Sequence, residues 1–328
     1  MTNLLKRFLN CISLRNKFEI MNAENIIAKI QKLKQNKKAV LLAHFYQTSD
    51  IQDIADFVGD SLALAQQAAK TDADIIVFAG VHFMAETAKI INPKAKVLLP
   101  DMEAGCSLAE SCPSVDFKKF KEHYPDHTVI SYINCTAELK TMTDIVCTSS
   151  NAVKIVESLP KDEKIIFAPD KNLGGYINKI SGREMVLWDG SCEVHDQLES
   201  EKIVELKIEN PEAKLIAHPE CQEAVLELAD FVGSTSALLN YTANNDSKQF
   251  IVATESGILH QMYKNNPEKE YIIVPSDETC SCNDCPYMKK ITLEKILKVL
   301  EKESNEIVLS DEIMSQALKP IERMLKLS

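Results

Sequence analysis

Ile54-Ala-Asp-Phe-Val-Gly-Asp-Ser-Leu-Ala-Leu64 and Leu228-Ala-Asp-Phe-Val-Gly-Ser-Thr-Ser-Ala-Leu238 agree at seven of eleven positions. A more diverged copy, Asp144-Ile-Val-Cys-Thr-Ser149, keeps the frame of an acid, an apolar run and a hydroxyl residue. Ser61, Ser149 and Thr235 therefore fall at steps of 88 and 86 residues. The same two steps separate His44 in A-H-F-Y, Tyr132 in Y-I-N and His218 in H-P-E, each of which ends an apolar run. Cys106, Cys192 and Cys285 follow at steps of 86 and 93. A fixed period of this length marks a repeated supersecondary unit, so the chain reads as one module written three times.

Each module opens on an aliphatic run (39–43, 128–133, 214–217) and continues through a polar helical stretch to a second short run (56–58, 144–146, 230–232). A helix follows, then a third strand (74–79, 164–168, 249–253), another helix and a fourth strand (96–99, 184–188, 271–274). Continuous apolar runs alternating with helical patterns indicate parallel βαβ units. The fold class expected is α/β: three homologous βαβ-type domains with parallel sheets around a pseudo-threefold axis, the active site at the central junction. The expected boundaries are 22–107, 108–193 and 194–290, with 291–328 as two C-terminal helices that pack back on the modules. Leu293, Ile296, Leu297 and Leu300 share one face of the first, and Ser310 is the N-cap of the second. Residues 1–21 read as an N-terminal extension, unstructured or an overlong start, because charges break their apolar stretch and the helix pattern opens at Met21.

With 45% hydrophobic and 26% charged residues the chain has an ordinary globular composition. No apolar run approaches the ~20 residues of a membrane helix, so no membrane partner is expected. A net charge of −11 argues against nucleic acid. Ten cysteines without a secretory signal point to a reducing, cytoplasmic setting in which thiols serve metals or redox chemistry.

Ligands of open α/β units sit beyond the carboxyl ends of the strands. That rule groups His44, Tyr46, Tyr132, Asn134, His218 and Glu220 around one cavity. Ser61, Ser149 and Thr235, each at a strand-to-helix turn, can offer hydroxyls beside free backbone N–H groups to an anion, or can be plain N-caps. Three thiolates on a common axis, one per module, suit a cubane [4Fe-4S] cluster with one open iron, a Lewis acid able to assist water loss. In Cys280-x-Cys282-x-x-Cys285 a local zinc or redox reading stays open. Cys11, Cys112, Cys135, Cys147 and Cys221 read as structural, and His123 and His127 as solvated. His82, His195 and His260 are expected nearer the cavity as hydrogen-bonded residues. Glu220 is the leading candidate general acid/base, with His44, Tyr46 and Tyr132 the other catalytic candidates.

The motifs A-H-F-Y-Q from Ala43, G-V-H-F-M-A-E-T-A-K-I from Gly80, P-D-M-E-A-G-C-S from Pro100, P-D-K-N-L-G from Pro169, G-S-C-E-V-H from Gly190, A-H-P-E-C from Ala217 and C-P-Y-M from Cys285 stand in order along the chain. From about residue 22 to the end the sequence resembles quinolinate synthase, type A. The resemblance implies condensation of iminoaspartate with dihydroxyacetone phosphate to quinolinate in NAD biosynthesis, with an oxygen-sensitive [4Fe-4S] cofactor. L-aspartate oxidase is then the supplier of the imine. By motif, Cys106, Cys192 and Cys285 are the cluster ligands. His44, Ser61, Tyr132, Ile133, Asn134, Ser149, His218, Pro219, Glu220 and Thr235 match iminoaspartate-binding positions, and Tyr46 lies beside the triose-derived carbons. The displaced Cys280 departs from the C-x-x-C-x-x-C of relatives. Two rivals remain at this point: a cluster-dependent hydro-lyase on a dicarboxylic acid, and a cysteine-cluster redox sensor or zinc-binding module.

Overall fold

The structure, a computed structural model, describes residues 21–275 and 283–328. Cys11, Cys280 and Cys282, with the reading of 1–20 as an extension, lie outside the described residues.

Twelve strands form three four-stranded sheets. The first holds β1 (Ala39–His44), β2 (Phe57–Gly59), β3 (Ile75–Ala79) and β4 (Lys96–Leu98); the second β5 (Thr128–Tyr132), β6 (Ile145–Cys147), β7 (Ile165–Ala168) and β8 (Val186–Leu187). The third holds β9 (Lys214–Ala217), β10 (Phe231–Val232), β11 (Gln249–Ala253) and β12 (Glu270–Ile273). Their orders are β2-β1-β3-β4, β6-β5-β7-β8 and β10-β9-β11-β12, one arrangement used three times. Every pair is parallel. β3 and β7 are buried along their whole length, as apolar runs covered by helices on both faces must be.

The acid shared by the three copies has a structural role the pattern did not disclose. Asp56, Asp144 and Asp230 each take, through Oδ2, the backbone N–H of the residue fifteen positions earlier: Leu41 at 2.7 Å, Val129 at 2.8 Å and Leu215 at 2.8 Å. Each returns its own N–H to the carbonyl of that same residue, so the carboxylate clamps the second strand beside the first before the sheet ladder begins. Gly59 and Gly233 serve close packing at the other end of that strand. A Cβ at either would stand 2.9 Å from the neighbouring phenylalanine ring and 2.9–3.0 Å from the alanine Cβ in the next helical turn. Asp144→Ala is expected to cost about 1–3 kcal/mol, a drop of several degrees in Tm, with turnover per folded molecule unchanged. Asp144→Asn, which keeps an acceptor, should recover most of it; thermal melts of the two variants check the clamp.

The first two sheets share a continuous core that runs from Leu42 and Phe78 to Ile130 and Phe167 and takes in Ala317, Ile321 and Met324 of the C-terminal helix Asp311–Leu327. That helix packs on His82–Ile91, Ala137–Thr141 and β6, and so glues the first module to the second. Its N-cap is Ser310, and the buried face of the preceding helix Leu293–Lys302 carries Leu293, Ile296 and Leu300, with Leu297 packed at its edge. The third sheet keeps cores of its own on its two faces. Among the described residues no helix is long and apolar enough to cross a membrane.

Candidate active site

The carboxyl ends of the three sheets face one cavity. His44, Tyr46, Ser61, Tyr132, Asn134, Ser149, His218, Glu220 and Thr235 all line it, together with Cys106, Cys192 and Cys285. Ile133 and Pro219 do not: the Ile133 side chain is buried in the core shared by the first two modules, and its backbone N–H bonds to the carbonyl of Cys147.

The two strand-end histidines are built alike. His44 Nδ1 accepts the backbone N–H of Tyr46 (3.2 Å) and His218 Nδ1 that of Glu220 (3.4 Å). In the neutral ring the proton then sits on Nε2, which is free to donate; His218 Nε2 meets Ser149 Oγ at 3.3 Å. Burial pushes both imidazoles down, His44 to about 4 and His218 to about 3, against the pull of Asp60 and Glu220. They are uncharged donors at neutral pH. Burial likewise drives the Tyr46 and Tyr132 phenols up, so both keep their protons.

Burial alone raises the Glu220 carboxyl, but the His195 and His218 rings and hydrogen bonds from His195 and Tyr132 outweigh it and bring Glu220 down to about 2. His195 Nδ1 stands 2.8 Å from Oε2 and Asn134 Nδ2 3.3 Å from Oε1. The remaining amide oxygen, Asn134 Oδ1, is buried without a partner in a residue that lines the cavity.

Ser61 and Thr235 are not caps. Each is the first residue of a ten-residue helix, Ser61–Lys70 and Thr235–Asn244, whose N-caps are Asp60 and Ser234 through bonds from Ala63 and Ala237. With capping done by a neighbour, these hydroxyls and the first backbone N–H groups stay available to an anion. Ser149 differs: it lies in the turn before the short helix Ala152–Glu157, a turn closed by Asn151 Oδ1 on Thr148 N at 2.7 Å. Asp60 also accepts from Ser150 Oγ at 2.9 Å, which ties the first module to the second at the cavity wall. Lys289, beside the cavity, is taken up by the buried Glu255 at 2.6 Å and by the Tyr46 carbonyl at 2.8 Å. Polar N–H and O–H groups are thus what this part of the wall offers to an anion.

Two of the three periodic cysteines come from equivalent places: Cys106 and Cys192 each precede a short helix, Ser107–Glu110 and Glu193–Asp196, after the fourth strand of their sheet, while Cys285 follows the fourth strand of the third sheet at a greater distance in sequence. Burial raises all three thiols, Cys285 to about 11, and they raise one another: Cys285 acts on Cys106, and Cys106 and Cys285 act on Cys192. Without a cation they are neutral; a bound metal group is what makes such thiols thiolates. Among the described residues the one trio of ligating atoms mutually within 4.8 Å is Cys192, His195 and Glu220. The three sulfurs are therefore spread wider than a single tetrahedral zinc, with Zn–S about 2.3 Å, can span. A polynuclear cluster, which takes each thiolate on a different iron, does not require the three sulfurs to be that close. Cys112, Cys135, Cys147 and Cys221 are buried in the cores, as read from their lack of period partners.

Two histidines expected nearer the cavity lie elsewhere. His82 opens the helix His82–Ile91 half exposed beside Glu86, and His260 pairs with Asp53 at 2.9 Å away from the cavity. Sequence reasoning passed over Asp60, visible in G-D-S beside Ser61, and over Thr254 and Glu255, which have no period partner. It also gave no role to Asp170, which caps Lys171–Ser181 from a fully buried position with Oδ2 unpartnered and its carboxyl raised by burial.

A family model described as Quinolinate synthetase A protein matches residues 28–326. The chain is 60% identical to a quinolinate synthase of Synechocystis sp. over 304 residues, 93% of this chain and 96% of that one. It is 59% identical to one of Microcystis aeruginosa over 305 residues, 93% and 96% of the two chains. A quinolinate synthase of Chloroherpeton thalassium is 57% identical over 305 residues, 93% and 95%.

Proposed function

Because the chain belongs to the family of quinolinate synthetase A proteins, we propose that it is the enzyme that joins iminoaspartate to dihydroxyacetone phosphate and closes the pyridine ring of quinolinate. Its substrates are small molecules, and the balance needs no oxidant: one phosphate and two waters leave as the seven-carbon acid forms. The observation that carries the reading is the meeting of three strand-end signatures and three thiols, one of each per module, on a single cavity. We place the reaction in the cytoplasm, with L-aspartate oxidase as the source of the unstable imine.

In this reading the helix starts at Ser61 and Thr235, with Ser149 and the Nε2–H groups of His44 and His218, hold the carboxylates and the phosphate. Asn134 Oδ1 accepts the imine or enamine N–H. Glu220, ionised, takes the proton that must leave the carbon beside the imine before it can attack. Tyr132 stands over that carboxylate as a hydrogen-bond donor, and Tyr46 touches the triose-derived carbons. A [4Fe-4S] cluster held by Cys106, Cys192 and Cys285 would supply Lewis acidity for the final loss of water.

The test is direct. Protein purified and reconstituted without oxygen is given dihydroxyacetone phosphate with oxaloacetate and ammonia as an imine source. Quinolinate and phosphate should appear in equal amounts. Hydration or dehydration of a dicarboxylic acid with no pyridine product would instead select a hydro-lyase, and a colourless, zinc-loaded, inactive protein would select a structural metal.

A further inference from the structure

His44 is the last residue of β1 and is held in register against Gly59 by the sheet. Tyr46, two residues on, lies beyond that ladder, so its place must be fixed by other contacts. Phe45, between them, packs against the core of the third sheet that contains Ile216, Leu238 and Phe250. The loop that carries Tyr46 thus leaves the first module and seats itself on the third.

Gln52, on the helix Ser49–Ile54, is 2% exposed. Its Nε2 lies 2.9 Å from the Phe45 carbonyl, 2.8 Å from that of Gln47 and 2.9 Å from that of Gly257. Its Oε1 accepts from Gln261 Nε2 at 2.9 Å. That network assigns the amide orientation, since the flipped group would set its oxygen against three carbonyl oxygens. One side chain therefore holds both neighbours of Tyr46 and ties them to Gly257 and the helix Ile258–Asn265 of the third module. Gly257 completes the grip. A Cβ there would stand 2.8 Å from both Cα and the carbonyl carbon of Tyr46 and 2.9 Å from Glu255 Oε2, although its φ of −59° and ψ of −23° suit any residue. Close packing, not backbone conformation, demands the glycine.

We propose that Gln52 is a positioning residue which, with Gly257, clamps the backbone of Tyr46 and so sets where its hydroxyl stands in the cavity. The proposal rests on the reading of Tyr46 as a residue beside the triose-derived carbons. It makes the placement of a first-module tyrosine depend on the third module. A displacement of about 1 Å at a reacting centre can cost about 10²-fold in rate.

The experiment compares Gln52→Met, Gly257→Ala and Tyr46→Phe in the reconstituted enzyme, with each of the first two also combined with Tyr46→Phe. Methionine matches glutamine in length but has no donor. It leaves the Phe45 and Gln47 carbonyls unpaired, so the melting temperature should fall by several degrees and kcat by about 10- to 100-fold. Gly257→Ala, which removes no hydrogen bond, should lower kcat to a similar degree. Iron content and visible absorbance should match wild type in both. Both kcat losses should vanish once Tyr46 is phenylalanine, whereas the melting-temperature loss of Gln52→Met should persist there. A purely structural role would move the melting temperature alone, or lower kcat equally in the two backgrounds; either result overturns the clamp, as does normal kcat in either single variant. If Gln52→Met fails to accumulate, the Gly257→Ala half of the cycle decides by the same criteria. A Tyr46→Phe enzyme with wild-type turnover would remove the reading of the site itself, and the proposal with it.

Discussion

Cys106→Ala is expected to leave a folded protein that, after anaerobic reconstitution, retains well under the full iron and sulfide complement and makes quinolinate at least about a hundredfold more slowly. Loss of an outer partner of a metal ligand already costs 10–100-fold in affinity or activity, and Cys106 is proposed as a ligand itself. The argument is geometric: Cys106, Cys192 and Cys285 reach the cavity from three different modules, and no described cysteine outside this set lines it. The buried thiols Cys112 and Cys135 sit in the core of the second module and cannot substitute without unfolding it. Cys112→Ala is therefore the control. It removes a sulfur from the same protein at some cost in stability, yet should reconstitute to the wild-type visible absorbance. Iron and sulfide analysis with the absorbance spectrum reads both variants; a full cluster in Cys106→Ala would end the assignment.

The threefold plan was legible because it is written redundantly. A strand-end signature, a turn hydroxyl and a cysteine keep one period, and the three sheets repeat one strand order accordingly. The identical frame also fixed the strand boundaries to within a residue or two, since Asp56, Asp144 and Asp230 are the residues that pin the second strand to the first. What redundancy cannot reveal is a residue used once. Thr254 occupies the place just past the third strand where the other modules have Gly80 and Pro169, so no period marks it. Glu255 is similar: it holds the Cys285 backbone N–H at 3.0 Å and Lys289, both of which come from a distant stretch of chain.

Spacing also cannot say which neighbour performs a local task. The choice between N-cap and ligand hydroxyl at Ser61 and Thr235 turned on whether Asp60 and Ser234 do the capping, which only backbone geometry decides. His82 and His260 show the reverse error: both were expected nearer the cavity, and their side chains pair instead with Glu86 and Asp53 on other faces. His195 was placed near the cavity by its nearness to Cys192, and its two partners, Glu220 and Thr254, belong to the third module.

Glu220→Gln is expected to lower kcat by about 10² to 10⁴-fold, the range for loss of a positioned general base, while KM for the triose phosphate moves little. Glutamine fills the same space, and its single amide oxygen can accept from His195 Nδ1 or from Asn134 Nδ2 but not both, so the variant removes charge and basicity, and one hydrogen bond, with little change in packing. The pH behaviour of the metal-free protein offers an independent check. Glu220 is brought from 4.5 to about 2 on folding, so its ionised form stabilises the native state above about pH 4.5, and that contribution is lost as pH falls toward 2. His44 and His218 act in the same direction but earlier. Held at about 4 and about 3 against 6.5 when unfolded, they stay neutral while the unfolded chain takes up protons, so stability declines from near pH 6.5 downward. Melting curves should therefore fall progressively below pH 6.5 in both proteins. In Glu220→Gln the Glu220 segment between about 4.5 and 2 should disappear while the histidine segment stays. A variant that kept wild-type turnover, or a wild-type protein whose melting temperature held constant from pH 7 to 4, would contradict the buried, uncharged histidines and the ionised carboxylate on which the proton chemistry depends.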